Sequence, residues 1–266
     1  MEKVKPFYKD ENTILYHADC FKLHYEQLNI QADMVMTDPP YGTTQQSWDE
    51  RVEWPQFWCM VQKAMLPSAT IAFTIDIVNY ATALSSSPVP FRYEWYWVKN
   101  KATGFLNKSN QPLRVVECIP VFSNSCPVYN PQMRSGTPQN YAVKRGCSPV
   151  YGKVTTCESR TGATDRYPVN ALYFPVINND SSERIHSNQK PVELIEHLIL
   201  THSNPGDTVF DPFAGSGTTA VAARNSGRKC VLVESDEAMC RKIVARLKGE
   251  KPHLKPEGIL TIEDFL

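Results

Sequence analysis

The sequence predicts an α/β protein, because short apolar runs that read as strands alternate with stretches of helical apolar spacing along most of its 266 residues. Two further observations point the same way. Acidic residues recur where the apolar runs end, at Asp19, Asp38, Asp76, Asp211 and Glu234, and open α/β sheets hold their ligands outside the carboxyl ends of the strands. A glycine-rich turn, Gly215-Ser216-Gly217, separates one such run from a helical pattern. The length suits one large domain or one domain with an insertion. A hydrophobic fraction of 42% supplies a sizeable core.

In chain order, residues 14–17 read as a short strand that ends near Asp19. Residues 21–28 are a candidate helix, with poor apolar spacing. Residues 33–37 form the next strand and deliver Thr37-Asp38-Pro39-Pro40-Tyr41-Gly42, and the polar residues 42–51 read as a loop beside it. Trp54, Phe57, Trp58, Val61 and Met65 fall at helical spacing. Residues 69–74 are a third strand ending at Asp76, and a helix over residues 78–84 closes at Ser85-Ser86-Ser87-Pro88. Residues 92–98 alternate as a sixth or edge strand would. Residues 114–122 are another strand, whose Pro120 points to an edge or a bulge.

From residue 123 to 185 the pattern breaks down. Turn formers are frequent, basic residues recur and Tyr129, Tyr141, Tyr151 and Tyr167 are interleaved. A structureless loop of that length does not fit inside a compact domain, so the segment reads as a functional insertion. Order returns at residues 186–191, where Pro191 suits the first turn of a helix faced by Val192, Ile195, Leu198 and Ile199. Residues 208–210 form a strand leading into Asp211 and the glycine turn, with a helix from 218 to 225 behind it. Residues 230–233 are a strand ending at Glu234. Ser235 or Asp236 caps a last helix carrying Met239, Ile243 and Leu247.

Composition narrows the function classes. No apolar stretch approaches the roughly 20 residues of a spanning helix. The N-terminus, Met1-Glu2-Lys3-Val4-Lys5, leads into no apolar run, so a soluble, cytoplasmic protein is expected. Eight cysteines include no Cys-x-x-Cys pair, so reduced thiols and no metal are expected. A cluster of Cys126, Cys147 and Cys157 is the one arrangement left open. Net charge is zero, yet residues 92–166 hold 11 Lys and Arg against 4 Asp and Glu. That excess suits a polyanion-binding surface.

Two stretches carry chemistry. In Asp38-Pro39-Pro40-Tyr41 the prolines contribute no N–H, so the local backbone offers carbonyls only. Asp38 adds a carboxylate acceptor and Tyr41 a flat apolar face. The set suits a planar group bearing N–H donors, such as the exocyclic amine of a nucleobase; its bland alternative is a strand followed by a Pro-Pro turn. The second stretch, Gly215-Ser216-Gly217-Thr218-Thr219-Ala220, fits G-x-G-x-x-A between a strand and a helix, with Glu234 ending the next strand. The glycines admit close backbone approach, and the acid accepts hydrogen bonds from ribose hydroxyls. This loop suits any adenosine-containing cofactor and does not choose between a dinucleotide and S-adenosylmethionine.

Together and in this order, Asp38-Pro-Pro-Tyr41, a variable basic segment and Phe213-Ala-Gly-Ser-Gly217 resemble the signatures of the β class of DNA amino-methyltransferases. The resemblance covers about residues 14–122 and 186–247. It implies a Rossmann-like, seven-stranded, mostly parallel sheet with helices on both faces, circularly permuted, with an inserted target-recognition region. Residues 1–122 and 186–248 would form the catalytic domain, 123–185 the insertion and 249–266 a tail. Catalysis would rest on Asp38, Pro39, Pro40 and Tyr41. S-adenosylmethionine would be held by Asp211, Phe213, Gly215, Ser216, Gly217, Thr218, Thr219 and Glu234. Asp19 matches the acid that contacts the cofactor's adenine. Lys190, in the His186-x-x-Gln189-Lys190-Pro191 element that precedes the cofactor loop, is expected among the cofactor-binding residues as well. Double-stranded DNA is the implied partner, and Arg134, Lys144, Arg145, Lys153, Arg160 and Arg166 are the expected contacts. A homodimer and a cognate restriction endonuclease are compatible with this family and are not specified by the sequence.

Within the family, Asp in the first motif position goes more often with N6 of adenine and Ser with N4 of cytosine, so adenine is expected and cytosine is the alternative. No cysteine follows a proline, which removes the Pro-Cys nucleophile of the ring-carbon methyltransferases. An NAD-dependent oxidoreductase would use the glycine loop but leave Asp38-Pro-Pro-Tyr41 and the basic insertion unexplained. A DNA-binding protein with degenerate catalysis is disfavoured by the intact motifs.

Overall fold

Strands that are apolar on both faces need cover on both, and that requirement sets the architecture. The computed structural model describes residues 4–43, 46, 49–141, 146–148, 152–154, 160–178, 181, 184–186 and 188–249. The chain opens with β1 (Tyr8–Lys9) and β2 (Thr13–His17). A 3-10 turn (Cys20–Lys22) and the single-turn helix α1 (Tyr25–Leu28) follow, the latter ended by Asn29 at φ 49°. Then come β3 (Ala32–Thr37), α2 (Trp54–Ala64), β4 (Met65–Phe73) and α3 (Ile77–Ser86). β5 (Phe91–Thr103) and β6 (Arg114–Phe122) form a long hairpin. Four further strands, β7 (Arg134–Tyr141), β8 (Gly146–Ser148), β9 (Gly152–Val154) and β10 (Arg160–Arg166), precede β11 (Ala171–Tyr173). The chain continues with α4 (Val192–His202), β12 (Thr208–Asp211), α5 (Thr218–Asn225), β13 (Lys229–Glu234) and α6 (Glu237–Leu247).

Two compact units result: Met1–Asn130 with Asn170–Leu266, and Pro131–Val169. The first is built on a sheet of order β1-β2-β13-β12-β3-β4-β6-β5-β11. It has nine strands where seven are expected. The additional two, β1 and β11, are only two and three residues long and extend the edges. The five neighbours β2, β13, β12, β3 and β4 are mutually parallel, and β6 runs antiparallel to both β4 and β5. β12 and β13 come last in the chain, yet they lie between β2 and β3 from its beginning.

Side-chain alternation feeds two cores. Met34 and Met36 of β3 join Val209, Leu232 and Leu15 under the apolar faces of α4, α5 and α6. Val35 of the same strand points the other way and joins Ile71, Phe73, Phe210 and Val233 with α2. There Trp58 meets Phe122 at 4.9 Å and Phe57 meets Phe73 at 5.5 Å, in edge-to-face contacts. The helical aromatic spacing at 54–61 is therefore packing. Pro120 lies in an interior strand, not at an edge. Pairing of β4 with β6 covers Ile71↔Phe122 and Ala72↔Val121, lapses opposite Pro120, and resumes as the bridge Ile75↔Cys118. A residue without an N–H is tolerated because the ladder skips it.

The second unit is two hairpins, β7 with β10 and β8 with β9. Arg166 donates to the carbonyls of Ala163, Asp165 and Thr137, tying its hairpin together, while Arg134 is exposed. The unit is narrower than the segment 123–185. Residues near 172 belong to the main sheet, since Leu172 and Phe174 enter the core and Trp97 Nε1 donates to the Phe174 carbonyl at 2.8 Å. Lys144, Arg145, Cys157 and the tail from residue 250 lie outside the described residues, as do the side chains of Cys147, Lys153 and Arg160. Among the described residues no group of three His, Cys, Asp or Glu side chains is placed to hold a metal, and no helix is long and apolar enough to cross a membrane.

The core contains a neutral histidine. Trp95 Nε1 can only donate, and it lies 3.0 Å from His202 Nε2; His202 Nδ1 lies 3.2 Å from the Val128 carbonyl and so carries the proton. Burial pulls the His202 and His197 rings down to about 4 from 6.5. A folded-state value below the unfolded one means stability that is complete above about pH 6.5 and lost as pH falls toward about 4. His202→Gln retains an acceptor and a donor without a titrating ring. Its urea midpoint is expected to fall less steeply than that of the wild type across this window. Parallel pH dependences in the two proteins would remove His202 as a source of acid lability.

Candidate active site

Parallel register places several carboxylates along one edge of the sheet. β13 ends at Glu234 opposite His17 of β2, and Asp19 follows two residues on. β12 ends at Asp211, and β3 ends at Thr37 with Asp38 next. The Thr37 hydroxyl donates to Asp211 Oδ1 at 2.6 Å, joining two strand ends 174 residues apart in sequence. Sequence position hides this neighbourhood; topology creates it.

Asp38 is the centre of a charged cluster. Its Oδ1 accepts from the Thr74 hydroxyl and from the Tyr41 hydroxyl at 3.1 Å. Its Oδ2 accepts from Lys190 Nζ at 2.8 Å. Glu117 of β6 stands behind, 3.6 Å from Lys190 Nζ, 2.8 Å from Lys99 Nζ and 3.4 Å from the Tyr41 hydroxyl. Burial pushes the Glu117 carboxyl up, but the Lys190 and Lys99 ammoniums bring it below its usual range. Burial pulls Lys190 down, and Asp38 and Glu117 hold it above its usual value. The Tyr41 phenol is driven well up by burial and by both carboxylates. At neutral pH Glu117 is thus a carboxylate, Lys190 an ammonium and Tyr41 a neutral phenol. A carboxylate oxygen has about two acceptor positions. Oδ1 of Asp38 uses both, whereas Oδ2 keeps one for an incoming donor.

The Pro-Pro turn is held from both sides. Asp49 Oδ1 accepts from the Tyr41 and Gly42 amides at 2.9 Å each, and Oδ2 from the Thr43 amide at 3.0 Å. Asn79 Nδ2 donates to the Tyr41 carbonyl at 2.9 Å and to Asp76 Oδ1 at 2.8 Å. Gly42 sits at φ 65°, and a Cβ there would lie 2.8 Å from Arg51 Cβ. None of Thr74, Asn79, Asp49, Glu117 or Lys99 emerges from sequence motifs. A signal existed for Glu117: it is an acid inside the run Val115-Val116-Glu117-Cys118-Ile119, where strand charges need a partner. Lys99 lies on the adjacent strand, diagonal to it.

The glycine loop occupies the neighbouring strand ends. Glu234 Oε2 accepts from the Gly215 amide at 2.8 Å, and Oε1 accepts from the Asp236 amide at 2.9 Å and the Ser235 hydroxyl at 3.5 Å, so Oε2 is the oxygen that keeps an acceptor position. Burial lifts this carboxyl, with those amides opposing. Gly217 begins α5 at φ 70°, and a Cβ there would press on Ile243 Cγ2 at 2.9 Å. Beside Gly215 a Cβ would meet only the Phe213 carbonyl, at 3.9 Å, which leaves room for a ligand against the backbone. Arg246 Nη1 holds the Ser216 carbonyl at 2.8 Å, and the Ser216 and Thr218 hydroxyls are 3.0 Å apart. Asp211 is buried, with Thr37, Thr219 and the Phe213 amide around it, and burial pushes it up to about 6. The Phe213 ring lies against Phe57 and Phe21. Asp19 caps the 3-10 turn through the Phe21 amide and pairs with Lys22 at 2.9 Å.

Lys190, expected with the cofactor residues, has its ammonium on Asp38 instead; only its backbone carbonyl reaches the glycine-loop side, accepting from Thr218 Oγ1 at 3.4 Å. The basic residues expected on DNA belong to the other unit or lie outside the described residues.

A family model described as DNA methylase matches residues 32–245. The type II methyltransferase M2.LlaDCHI of Lactococcus lactis subsp. cremoris is 26% identical over 269 residues, spanning 91% of this chain and 92% of that protein. Among solved structures, the M1.HpyAVI–SAM complex superposes with a TM-score of 0.64 at 20% identity, over 88% of this chain and 98% of that one. The PvuII DNA methyltransferase, described as cytosine-N4-specific, gives 0.60 at 16% identity, over 92% and 96%.

The grip on Tyr41 can be measured directly. Asn79→Ala strips the Tyr41 carbonyl of its side-chain donor, and a part-buried carbonyl left unpaired costs about 1–3 kcal/mol. The variant is expected to unfold earlier in urea by that amount and to exchange amide hydrogens faster at Tyr41, Gly42 and Thr43. Unchanged exchange would show that Asp49 alone holds the turn.

Proposed function

The chain belongs to the N6/N4 DNA methylase family and is an S-adenosylmethionine-dependent DNA methyltransferase, and we propose that its acceptor is the N6 amine of an adenine turned out of the duplex. The observation that carries this reading is the half-open Oδ2 of Asp38, one strand away from the glycine loop. An exocyclic amine is a poor nucleophile because its lone pair is delocalised into the ring. Asp38 Oδ2 and the Pro39 carbonyl accept its two N–H groups and draw the nitrogen toward tetrahedral geometry, so that its lone pair turns out of the ring plane. Tyr41 stacks on the extruded base. The nitrogen loses one proton as its new bond forms, and the Asp38 carboxylate is the nearest acceptor. Lys190 and Glu117 keep that carboxylate in place. This is catalysis by positioning and electrostatics.

S-adenosylmethionine, when bound, supplies an electrophilic methyl group on its sulfonium. Gly215 and Gly217 would let the backbone approach it, the open acceptor position of Glu234 Oε2 would take a ribose hydroxyl, Asp19 would take the adenine amine, and Phe213, Ser216, Thr218, Thr219 and Asp211 would complete the wall. The strand order, with the glycine loop late in the chain and the Asp38 turn early, supports a circularly permuted member of the family. Asp at the first motif position favours adenine. Transfer to N4 of cytosine is the second reading, favoured by the likeness to a cytosine-N4-specific enzyme.

Asp38→Ala is expected to lose methyl transfer while S-adenosylmethionine still binds by calorimetry and the fold survives. Tritium transfer to unmethylated duplex at near wild-type turnover would remove Asp38 from catalysis. Digesting the wild-type product to nucleosides decides the base: N6-methyl-2′-deoxyadenosine supports the first reading and N4-methyl-2′-deoxycytidine the second.

Residues 123–185 are the proposed reader of the target sequence, supported by their basic excess and exposed strands. Alanine substitution of Arg134, Lys144, Arg145, Lys153, Arg160 or Arg166, where the side chain meets a phosphate, should weaken binding to all duplexes and lower the salt slope by about one unit. A base-reading arginine should instead relax the site preference, by roughly 1–3 kcal/mol of discrimination. No change in affinity, slope or preference across the set would place DNA elsewhere.

A further inference from the structure

The hairpin of β5 and β6 carries an apolar tip that neither core uses. β6 starts at the edge where Asp38 lies: it runs antiparallel to β4, and Cys118 bridges Ile75, beyond the end of β4. Thr103 of β5 pairs with Arg114 of β6, so both strands leave the sheet at that same edge. Glu117, inside the Asp38 cluster, is three residues short of Arg114, so the turn stands about 10 Å or more beyond the cluster.

At the turn Leu106 is 98% exposed and Phe105 64% exposed, and Leu113, Val115 and Val116 are exposed along the stem. Exposed apolar groups gathered at one place mark a docking surface more often than an accident. The turn itself is well formed. Gly104 takes φ 87°, and the Asn107, Lys108 and Gln111 amides donate to the Gly104, Phe105 and Asn107 carbonyls. Phe105 and Leu106 are therefore held outward by a hydrogen-bonded turn. Between Glu94 and Glu117 the chain has no acid, and Lys101, Lys108 and Arg114 are exposed around the tip. Lys108 Nζ sits 3.9 Å above the Phe105 ring.

We propose that this hairpin tip is a wedge for duplex DNA, with Phe105 and Leu106 entering the base stack next to the extruded nucleotide and Lys101, Lys108 and Arg114 meeting the flanking phosphates. A base that leaves the helix breaks two stacking contacts, and apolar side chains of this size are the groups that fill such a gap. The cations select a polyanion rather than another apolar protein face. The placement agrees: the tip and the acceptor carboxylate face outward from one sheet edge, so a duplex lying along that edge meets both. The inference rests on the reading that the target base is extruded.

The test measures tritium transfer from S-adenosylmethionine to unmethylated plasmid duplex by the full chain. The wild-type rate reports the methyltransferase reading by itself, and the ratio of variant to wild type reports the wedge. Phe105→Ala with Leu106→Ala is expected to slow transfer roughly tenfold, since unstacking then goes uncompensated. Its S-adenosylmethionine affinity and the salt slope of DNA binding should stay at wild-type values, because no phosphate contact is lost. Phe105→Trp keeps a flat apolar ring and should lose less than Phe105→Ala. Lys108→Ala with Arg114→Ala should instead lower the salt slope. Equal rates for the double alanine variant and the wild type would overturn the wedge. So would a changed oligomeric state by light scattering with an unchanged rate on DNA, which would make the tip a contact between two copies of this chain.

Discussion

The site depends on one structural constraint, the parallel insertion of β12 between β13 and β3. That placement brings Asp19, Glu234, Asp211 and Asp38 to one edge from both ends of the chain. Gathered carboxylates repel, and the fold answers this in two ways. Amides of the glycine loop and the following turn meet Glu234, and Lys190 meets Asp38. Burial raises the two of these carboxyls that meet no cation among the described residues, Glu234 and Asp211, the latter to about 6. The same edge therefore separates an acceptor side organised by ammonium groups from a glycine-loop side organised by backbone N–H groups.

On the acceptor side the ion pairs earn their place through geometry more than stability. Half-buried pairs spend much of their attraction on lost hydration. What Lys99, Glu117 and Lys190 do is hold the Asp38 carboxylate in a fixed plane, with one oxygen saturated by Thr74 and Tyr41 and the other half open. Asp49 and Asn79 do the equivalent for the backbone of Tyr41. The turn is rigid for two independent reasons: its prolines limit φ, and side chains from elsewhere hold its remaining polar groups.

The places where expectation and structure part have local causes. Residues 21–28 lack helical spacing, and they form a 3-10 turn and a single helical turn. Pro120 forbids one ladder bond, and an interior strand accommodates it by omitting that pairing. Lys190 lies in a stretch that precedes the cofactor loop in sequence, but its long side chain reaches across to β3 and joins the opposite side of the site. The segment around 172, irregular by composition, supplies a short edge strand because Leu172 and Phe174 find space beside Trp97 in the core.

The sequence by itself determined the α/β class, the strands that carry Asp38 and Glu234, the helix behind the glycine loop, and the family. Each of these rests on local patterns: apolar period, turn chemistry, and contiguous motifs whose residues act together because they are adjacent in the chain. Only the tertiary structure decided that Thr37 bonds Asp211, that Lys190 pairs with Asp38, and that Glu117, Lys99, Thr74 and Asn79 belong to the site. These contacts join residues up to 174 positions apart, and they follow from strand order and register, which no local pattern encodes. The outward aim of Phe105 and Leu106 is of the same kind, since an apolar pair in sequence reads as core until the direction of its hairpin is known.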